Sequence, residues 1–170
     1  NICNIQCSFC PVVERDNKIM DLEEFSKALA QVKEFTDEIC LHLMGEPLAH
    51  PKIKEILALC DESGIKVMIT TNGLLLKRYQ ELLLNSKCIR QINFSLQSYK
   101  DNFPHKELRQ YLVPLMGFTT LVNNQREDMY INFRLWNYDV DKGENEEIYT
   151  ELEKFYEISI KREVDVGNIK

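Results

Sequence analysis

Apolar residues recur along this chain with two alternating periods, one helical and one of strands. Leu22, Phe25, Leu29 and Val32 share one face of a helix, and Asp21 with Glu24 three positions later has the pattern of a capping box that opens it. Residues 38–44, Glu-Ile-Cys-Leu-His-Leu-Met, alternate as a strand does. Pro51 suits the opening of a helix carrying Ile53, Ile56, Leu57 and Cys60, which Gly64 ends. A strand at about 65–71, a Leu-rich helix at about 75–85, a strand at about 90–97 and a long helical region kinked by Pro114 follow. A strand at about 130–136, a helix from Asn145 through Ile148, Leu152 and Phe155, and the start of one more strand between Ile158 and Val166 complete the pattern.

Strands that alternate with helices imply parallel pairing through right-handed crossovers, as an open doubly wound sheet or as a barrel. The strand faces decide between them. Ile92, Phe94 and Leu96 oppose Asn93, Ser95 and Gln97, and Ile131, Phe133 and Leu135 oppose Asn132, Arg134 and Trp136. A parallel sheet covered on both faces has strands apolar throughout, so a polar face on successive strands indicates a barrel with a wet lumen. By the same alternation Cys40, His42 and Met44 face the lumen while Ile39, Leu41 and Leu43 face the helices, and Thr70 and Asn72 fall on the polar side. An antiparallel sheet with one solvated face is the alternative, and the linkers are too long for its hairpins.

At 170 residues with 44% hydrophobic side chains the chain is long enough for one domain with a real core. A net charge of −6, with no Lys/Arg block, argues against a nucleic-acid partner or an anionic lipid surface. No run approaches the roughly 18 apolar residues of a membrane span. Six cysteines are too few for a secreted disulfide scaffold of this length, and three of them lie within eight positions, so a reducing cytoplasm is expected. Because the chain begins at Asn1 and enters a cysteine motif at once, it reads as a piece of a longer protein.

That motif, Cys3-Asn-Ile-Gln-Cys7-Ser-Phe-Cys10, places three thiols on one loop. Three thiolates on a four-iron cluster leave one iron open for an exogenous ligand, so the cluster can act on a bound molecule. Zinc competes for closely spaced cysteines, but a structural zinc site takes four ligands, usually as two separated pairs. Cys60, on the apolar face of a helix, and Cys88, just before a strand, read as small buried hydrophobes. Cys40 falls in the lumen. His42 and His50 read as hydrogen-bonding groups, His50 as a cap of the second helix.

The C-x3-C-x2-C spacing, Phe9 directly before the last cysteine, Gly45-Glu46-Pro47 at the end of one strand and Thr71-Asn72-Gly73 at the end of the next together resemble the radical S-adenosylmethionine superfamily. The resemblance spans nearly the whole chain. It implies a partial TIM-like (β/α)6 barrel with the cofactor at the C-terminal ends of the strands, truncated at its first strand and at its last. Residues 1–170 would then be one core domain, with further residues expected on both sides. Cys3, Cys7 and Cys10 would hold a 4Fe–4S cluster whose open iron chelates S-adenosylmethionine.

By the same resemblance Glu46 would accept from the cofactor's amino group, Gly45 would let the backbone approach its methionine moiety, and Pro47 would fix the turn. Phe9 would pack near the adenine, Thr71 and Asn72 would line the site, and Ser95 and Gln97 would contact the ribose hydroxyls. Arg134, the cation placed in the lumen, would meet the cofactor carboxylate or make a salt bridge within the barrel. The reduced cluster would cleave S-adenosylmethionine to methionine and a 5′-deoxyadenosyl radical, which takes hydrogen from a substrate. The motifs look most like the branch with C-terminal extensions of the SPASM type, so a peptide, a protein or a small molecule is the expected substrate. A flavodoxin or ferredoxin would be the reductant. A glycyl-radical-enzyme activating protein is the alternative chemistry, and a non-catalytic zinc or iron–sulfur module the alternative class.

Overall fold

In the computed structural model, which describes residues 1–12, 14, 16–103, 107–135 and 144–157, helix α1 (Leu22–Val32) opens on the expected capping box. The Asp21 carboxylate accepts from Glu24 N at 2.8 Å while Asp21 N donates to the Glu24 carboxylate at 3.3 Å. Phe25 and Leu29 are buried on its apolar face. Strand β1 (Glu38–Leu41) is shorter than the alternation indicates. Leu43 at φ 90° and Gly45 at φ 101° turn the chain out of the strand, and Leu43, expected among the helices, is 83% exposed.

Pro47 opens a 3-10 turn (Pro47–Ala49), and α2 (Ile53–Ser63) begins two residues after Pro51 instead of at it. His50 Nδ1 accepts from Lys52 N at 3.0 Å and so closes the turn before α2. Gly64 ends α2 in the left-handed conformation at φ 71°, as its place in the sequence requires. Then come β2 (Lys66–Thr71), α3 (Leu76–Asn85) and β3 (Ile89–Ser95). β3 ends before Gln97, which lies in a second 3-10 turn (Leu96–Ser98) leading into the short helix α4 (Tyr99–Asn102).

The long helical region breaks at Phe103, and α5 (Leu108–Gln125) runs through Pro114. Pro114 and Gln110, whose carbonyl loses its partner at the proline, are both on the exposed side of α5, where water can satisfy that carbonyl. Strand β4 (Tyr130–Arg134) follows. Trp136 and the strand expected between Ile158 and Val166 lie outside the described residues. The chain divides into two compact units, Asn1–Trp136 and Asn137–Lys170. The second contains α6 (Glu144–Tyr156), with Ile148 and Leu152 buried as the periodicity indicates and Phe155 largely exposed.

In the first unit the four strands form an open sheet in the order β1-β2-β3-β4, every pair parallel, which removes the antiparallel alternative. Val67, Ile69, Ile92 and Phe94 point to the helix-covered face and are fully buried. Phe94 meets Phe118 of α5 edge-on at 6.4 Å and stacks on Phe133 of β4 at 5.9 Å. Each such side chain contributes roughly 1.5–3 kcal/mol of burial.

The opposite face carries a ladder of amides. Asn93 Nδ2 donates to Thr70 Oγ1 at 3.3 Å and to the Ile69 carbonyl at 3.4 Å, while Asn93 Oδ1 accepts from Gln91 at 2.8 Å and Asn132 at 3.1 Å. One helix-covered face and one polar face make this sheet a segment of a barrel wall that does not close.

Candidate cofactor site

The C-terminal ends of β1, β2 and β3 converge on the cysteine loop. Glu46, five residues past β1, is buried, and its three hydrogen-bond partners all come from this edge. Oε1 accepts from Leu48 N at 3.0 Å and Thr71 Oγ1 at 2.7 Å, and Oε2 accepts from Asn72 N at 2.8 Å. Burial raises its carboxyl above the ordinary 4.5, against the pull of those three donors. A carboxylate so held is oriented, keeps acceptor capacity on Oε2, and gains from a cation beside it.

Gly45 is required for a close approach. A Cβ there would lie 2.7 Å from the Ile2 carbonyl oxygen, so the group that passes over Gly45 is the backbone of the segment entering the cysteine loop. Glu46 N donates to that same carbonyl at 2.8 Å. Pro47 holds the first position of the 3-10 turn. Cys40, His42 and Met44, expected on one face, line a cavity of about 240 Å³ together with Ile2, Glu46 and His50, although β1 ends before His42.

Asn72 joins the strand edge to the cysteines. Its Nδ2 donates to Asn4 Oδ1 at 2.9 Å and lies 3.9 Å from Cys3 Sγ, while its Oδ1 accepts from Leu74 N at 3.0 Å. Tyr111 OH, buried within α5, donates to the Asn72 carbonyl at 2.8 Å. Thr71 is spent on Glu46 and on accepting from Gly73 N at 3.1 Å. At the other end of the loop α4 takes hold. Ser8 N and Ser8 Oγ donate to Asp101 at 2.6 and 2.8 Å, Gln6 N donates to Asn102 Oδ1 at 3.1 Å, and Asn102 Nδ2 donates to Cys7 Sγ at 3.3 Å.

Cys7 is buried, whereas Cys3 and Cys10 are exposed. Burial pushes the Cys7 thiol up to about 11, against the Asn102 donor that lowers it, and the neighbouring charges of Cys10, Asp101 and Cys3 add to the rise. Cys3 is raised by burial as well, with Glu46 and Cys10 contributing. Thiols near enough to oppose one another's ionisation form a set that cationic iron would neutralise. No three His, Cys, Asp or Glu side chains among the described residues converge enough to hold a single ion. Three thiols on one loop at the strand ends suit a cluster that takes three protein thiolates and keeps one iron open. Cys60 and Cys88 are buried away from the loop, Cys88 donating to the Leu57 carbonyl at 3.4 Å, as expected of structural thiols.

Ser95 and Arg134 stand in register at the ends of β3 and β4. Arg134 is half-buried and makes no ion pair among the described residues. Gln97 Oε1 is buried without a hydrogen-bond partner among them. Phe9 is 40% exposed on the loop. The sequence reading missed Asn4, Asp101, Asn102 and Tyr111. Nothing local marks them, because their partners lie tens of positions away.

A barrel-wall sheet with a three-thiol loop and a buried carboxylate at the C-terminal ends of its strands defines a class of iron–sulfur enzymes. The family model described as the Radical SAM superfamily matches residues 1–116, and the chain belongs to that superfamily. Its members are enzymes that use a 4Fe–4S cluster and S-adenosylmethionine.

Among curated proteins, GTP 3′,8-cyclase of Alkaliphilus oremlandii is 34% identical over 106 residues, which is 58% of this chain and 32% of the cyclase. Fe-coproporphyrin III synthase of Methanosarcina barkeri is 24% identical over 102 residues, 58% of this chain and 26% of the synthase. The chain thus spans about a third of the length of the cyclase relatives it matches. Among solved structures, SuiB of Streptococcus suis bound to S-adenosylmethionine superposes with a TM-score of 0.63 at 27% identity, over 91% of this chain and 35% of SuiB. Archaeal TYW1, at 18% identity and a TM-score of 0.51 over 84% of this chain and 55% of its own, shares the fold.

Proposed function

We propose that this protein generates a 5′-deoxyadenosyl radical at a 4Fe–4S cluster held by Cys3, Cys7 and Cys10 and takes a hydrogen atom from a peptide or protein substrate. The observation that carries the reading is the junction of the cysteine loop with Glu46 and Asn72 at one edge of the sheet. When bound, the cluster and S-adenosylmethionine would supply one-electron reductive cleavage of a carbon–sulfur bond, with methionine as the second product.

The chain's own residues do the rest. Glu46 holds the amino group of the cofactor, its carboxylate already oriented by Leu48, Thr71 and Asn72. Gly45 and Pro47 shape the turn on which that carboxylate sits, and Phe9 packs beside the adenine. Ser95 and the unpartnered Gln97 Oε1 meet the ribose hydroxyls, for which the buried acceptor is suited. Arg134 pairs with the cofactor carboxylate.

The polar face supports a neutral polar substrate. Gln91 and Asn132 present amides held in place by the buried Asn93, whose own oxygen and nitrogen are spent within the ladder. Arg134 is the cation at the C-terminal end of the described strands, whereas Lys66 and Arg90 sit at the opposite end. Amides in such a wall match peptide groups, with which they pair as both donors and acceptors. A flavodoxin or ferredoxin would deliver the electron.

The test is anaerobic. The full protein is reconstituted with iron and sulfide, reduced, and given S-adenosylmethionine, and 5′-deoxyadenosine is measured by chromatography. Its formation is expected, and its absence from a cluster-loaded sample would overturn the enzyme reading. Stoichiometric zinc in place of iron in the anaerobically purified protein would favour a binding module. A glycyl radical formed in a partner protein would replace the peptide-modifying reading by the activating one.

A further inference from the structure

We propose that Asp101 and Asn102 are positioning residues for the cluster, α4 holding the cysteine loop and Asn102 giving Cys7 an N–H···S hydrogen bond that raises the cluster's reduction potential. The proposal rests on the reading that Cys3, Cys7 and Cys10 bind the cluster.

The orientation of the Asn102 amide follows from its neighbours. The Gln6 N–H can only donate, so Oδ1 faces it at 3.1 Å, and the Ser98 carbonyl can only accept, so Nδ2 faces it at 3.0 Å. Nδ2 carries two hydrogens. One goes to Ser98, and the other is left for Cys7 Sγ at 3.3 Å. A flipped amide would set an oxygen against the Ser98 carbonyl and a nitrogen against the Gln6 N–H, losing both bonds. Asn102 therefore presents a donor, and never an acceptor, to the sulfur.

Asp101 secures the next step of the loop. A single carboxylate oxygen takes both Ser8 N and Ser8 Oγ, at 2.6 and 2.8 Å, between Cys7 and Cys10. Behind α4, Tyr99 stacks on Tyr111 at 5.4 Å between ring centroids, and Tyr111 OH holds the Asn72 carbonyl at 2.8 Å. The two asparagines that grip the loop, Asn72 at the Cys3 end and Asn102 at Cys7, are thus tied to one aromatic support.

The consequence is electronic as well as mechanical. The reduced cluster carries one more negative charge than the oxidised one, so a donor aimed at a ligating sulfur stabilises the reduced form more. Removing that donor makes the cluster harder to reduce.

The experiment uses the full protein, anaerobically reconstituted, with iron and sulfide per chain, far-UV circular dichroism and an EPR-monitored redox titration as readouts. Asn102→Leu, of similar size, is expected to lower the reduced-to-oxidised ratio at a fixed potential about tenfold, a shift of ~59 mV to more negative values for one electron. Asn102→Asp sets a carboxylate oxygen against the sulfur and shifts the potential further in the same direction. Asp101→Asn, whose carbonyl still accepts from Ser8, retains full iron, whereas Asp101→Ala takes up less at unchanged helix content. Should Asn102→Leu fold poorly, Asn102→Asp and the Asp101 pair carry the test.

Titration of a fully loaded Asn102→Asp at the unsubstituted potential would overturn the hydrogen-bond assignment, and full iron in Asp101→Ala would overturn the tether. If the unsubstituted protein takes up no cluster, the functional reading fails and this inference with it. If it loads normally and the variants behave like it, this inference alone fails.

Discussion

At the scale of the residue, the structural role of Glu46 and the cofactor role proposed for it call for the same charge. Its carboxylate ties the ends of β1 and β2 together through Thr71 and Asn72, yet burial makes ionisation costly. Because the native value is raised, Glu46 contributes stability that is fully present below its unfolded value near 4.5 and is lost as pH rises through the native one. An ammonium group reverses that sign by favouring the carboxylate. Two outcomes are expected. Denaturant titrations of the protein without cofactor, run from pH 4 to 7, show a component of the pH dependence that disappears in Glu46→Gln. Calorimetry on the cluster-loaded protein gives S-adenosylmethionine binding about tenfold to a hundredfold weaker in Glu46→Gln, the loss of a charge-assisted hydrogen bond of ~1.5–3 kcal/mol. The cysteines divide as sharply. Cys7→Ala abolishes iron uptake, while Cys60→Ala, a buried methyl-sized change away from the loop, leaves iron per chain unchanged when both are assayed after reconstitution.

At the scale of the element, two glycines with positive φ have different consequences. Gly64 has open space where a Cβ would go, so Gly64→Ala loses only the preference for a left-handed cap, about 1 kcal/mol. Gly45→Ala meets both an unfavourable φ and the Ile2 backbone at 2.7 Å. It is expected to cost about 2–3 kcal/mol in urea unfolding and to displace the segment entering the cysteine loop, with a corresponding loss of iron. At the opposite end of the sheet Arg126 serves as a clasp. Its guanidinium reaches the carbonyls of Leu84, Ser86 and Ile89 at 2.7, 3.1 and 3.2 Å, fastening the end of α5 to the α3–β3 connection, with Asp128 as its counterion. Arg126→Ala leaves those carbonyls without their donor and is expected to lower stability by about 2–3 kcal/mol without changing cluster content.

At the scale of the whole molecule, the match to one family over residues 1–116 covers the edge of the sheet that carries the cysteine loop, and the cyclase relatives have about two thirds of their length outside the matched segment. The amide ladder makes a prediction here. If the wall receives a peptide, 5′-deoxyadenosine formation in the cluster-loaded protein rises with peptide substrate and is unchanged by GTP, and Asn93→Leu suppresses that stimulation while leaving the basal uncoupled cleavage intact. Stimulation by GTP would instead align the protein with its cyclase relatives.

Much of this was legible along the chain. The helices and strands follow from periodicity, because burial on one face imposes a period of 3.6 or 2 whatever the neighbours are, and the cysteine spacing reports a metal centre because its ligands lie on one loop. The amide face of the sheet could be read from alternation alone, and the structural place of Cys60 and Cys88 from the apolar helix face and the strand start where they lie. Element ends were less legible. Leu43 leaves β1 at a positive φ and Gln97 leaves β3 for a 3-10 turn, each against a continuing alternation, while the helix breaks at Phe103, where the Pro104 that follows in the sequence disfavours the helical conformation. What only the tertiary structure decided is which distant groups meet. Glu46 finds Asn72, Cys7 finds Asn102 and Arg126 finds Ile89 across separations of 26, 95 and 37 residues. A hydrogen bond has no period, so its partner is set by the packing of whole elements and leaves no mark in the local sequence.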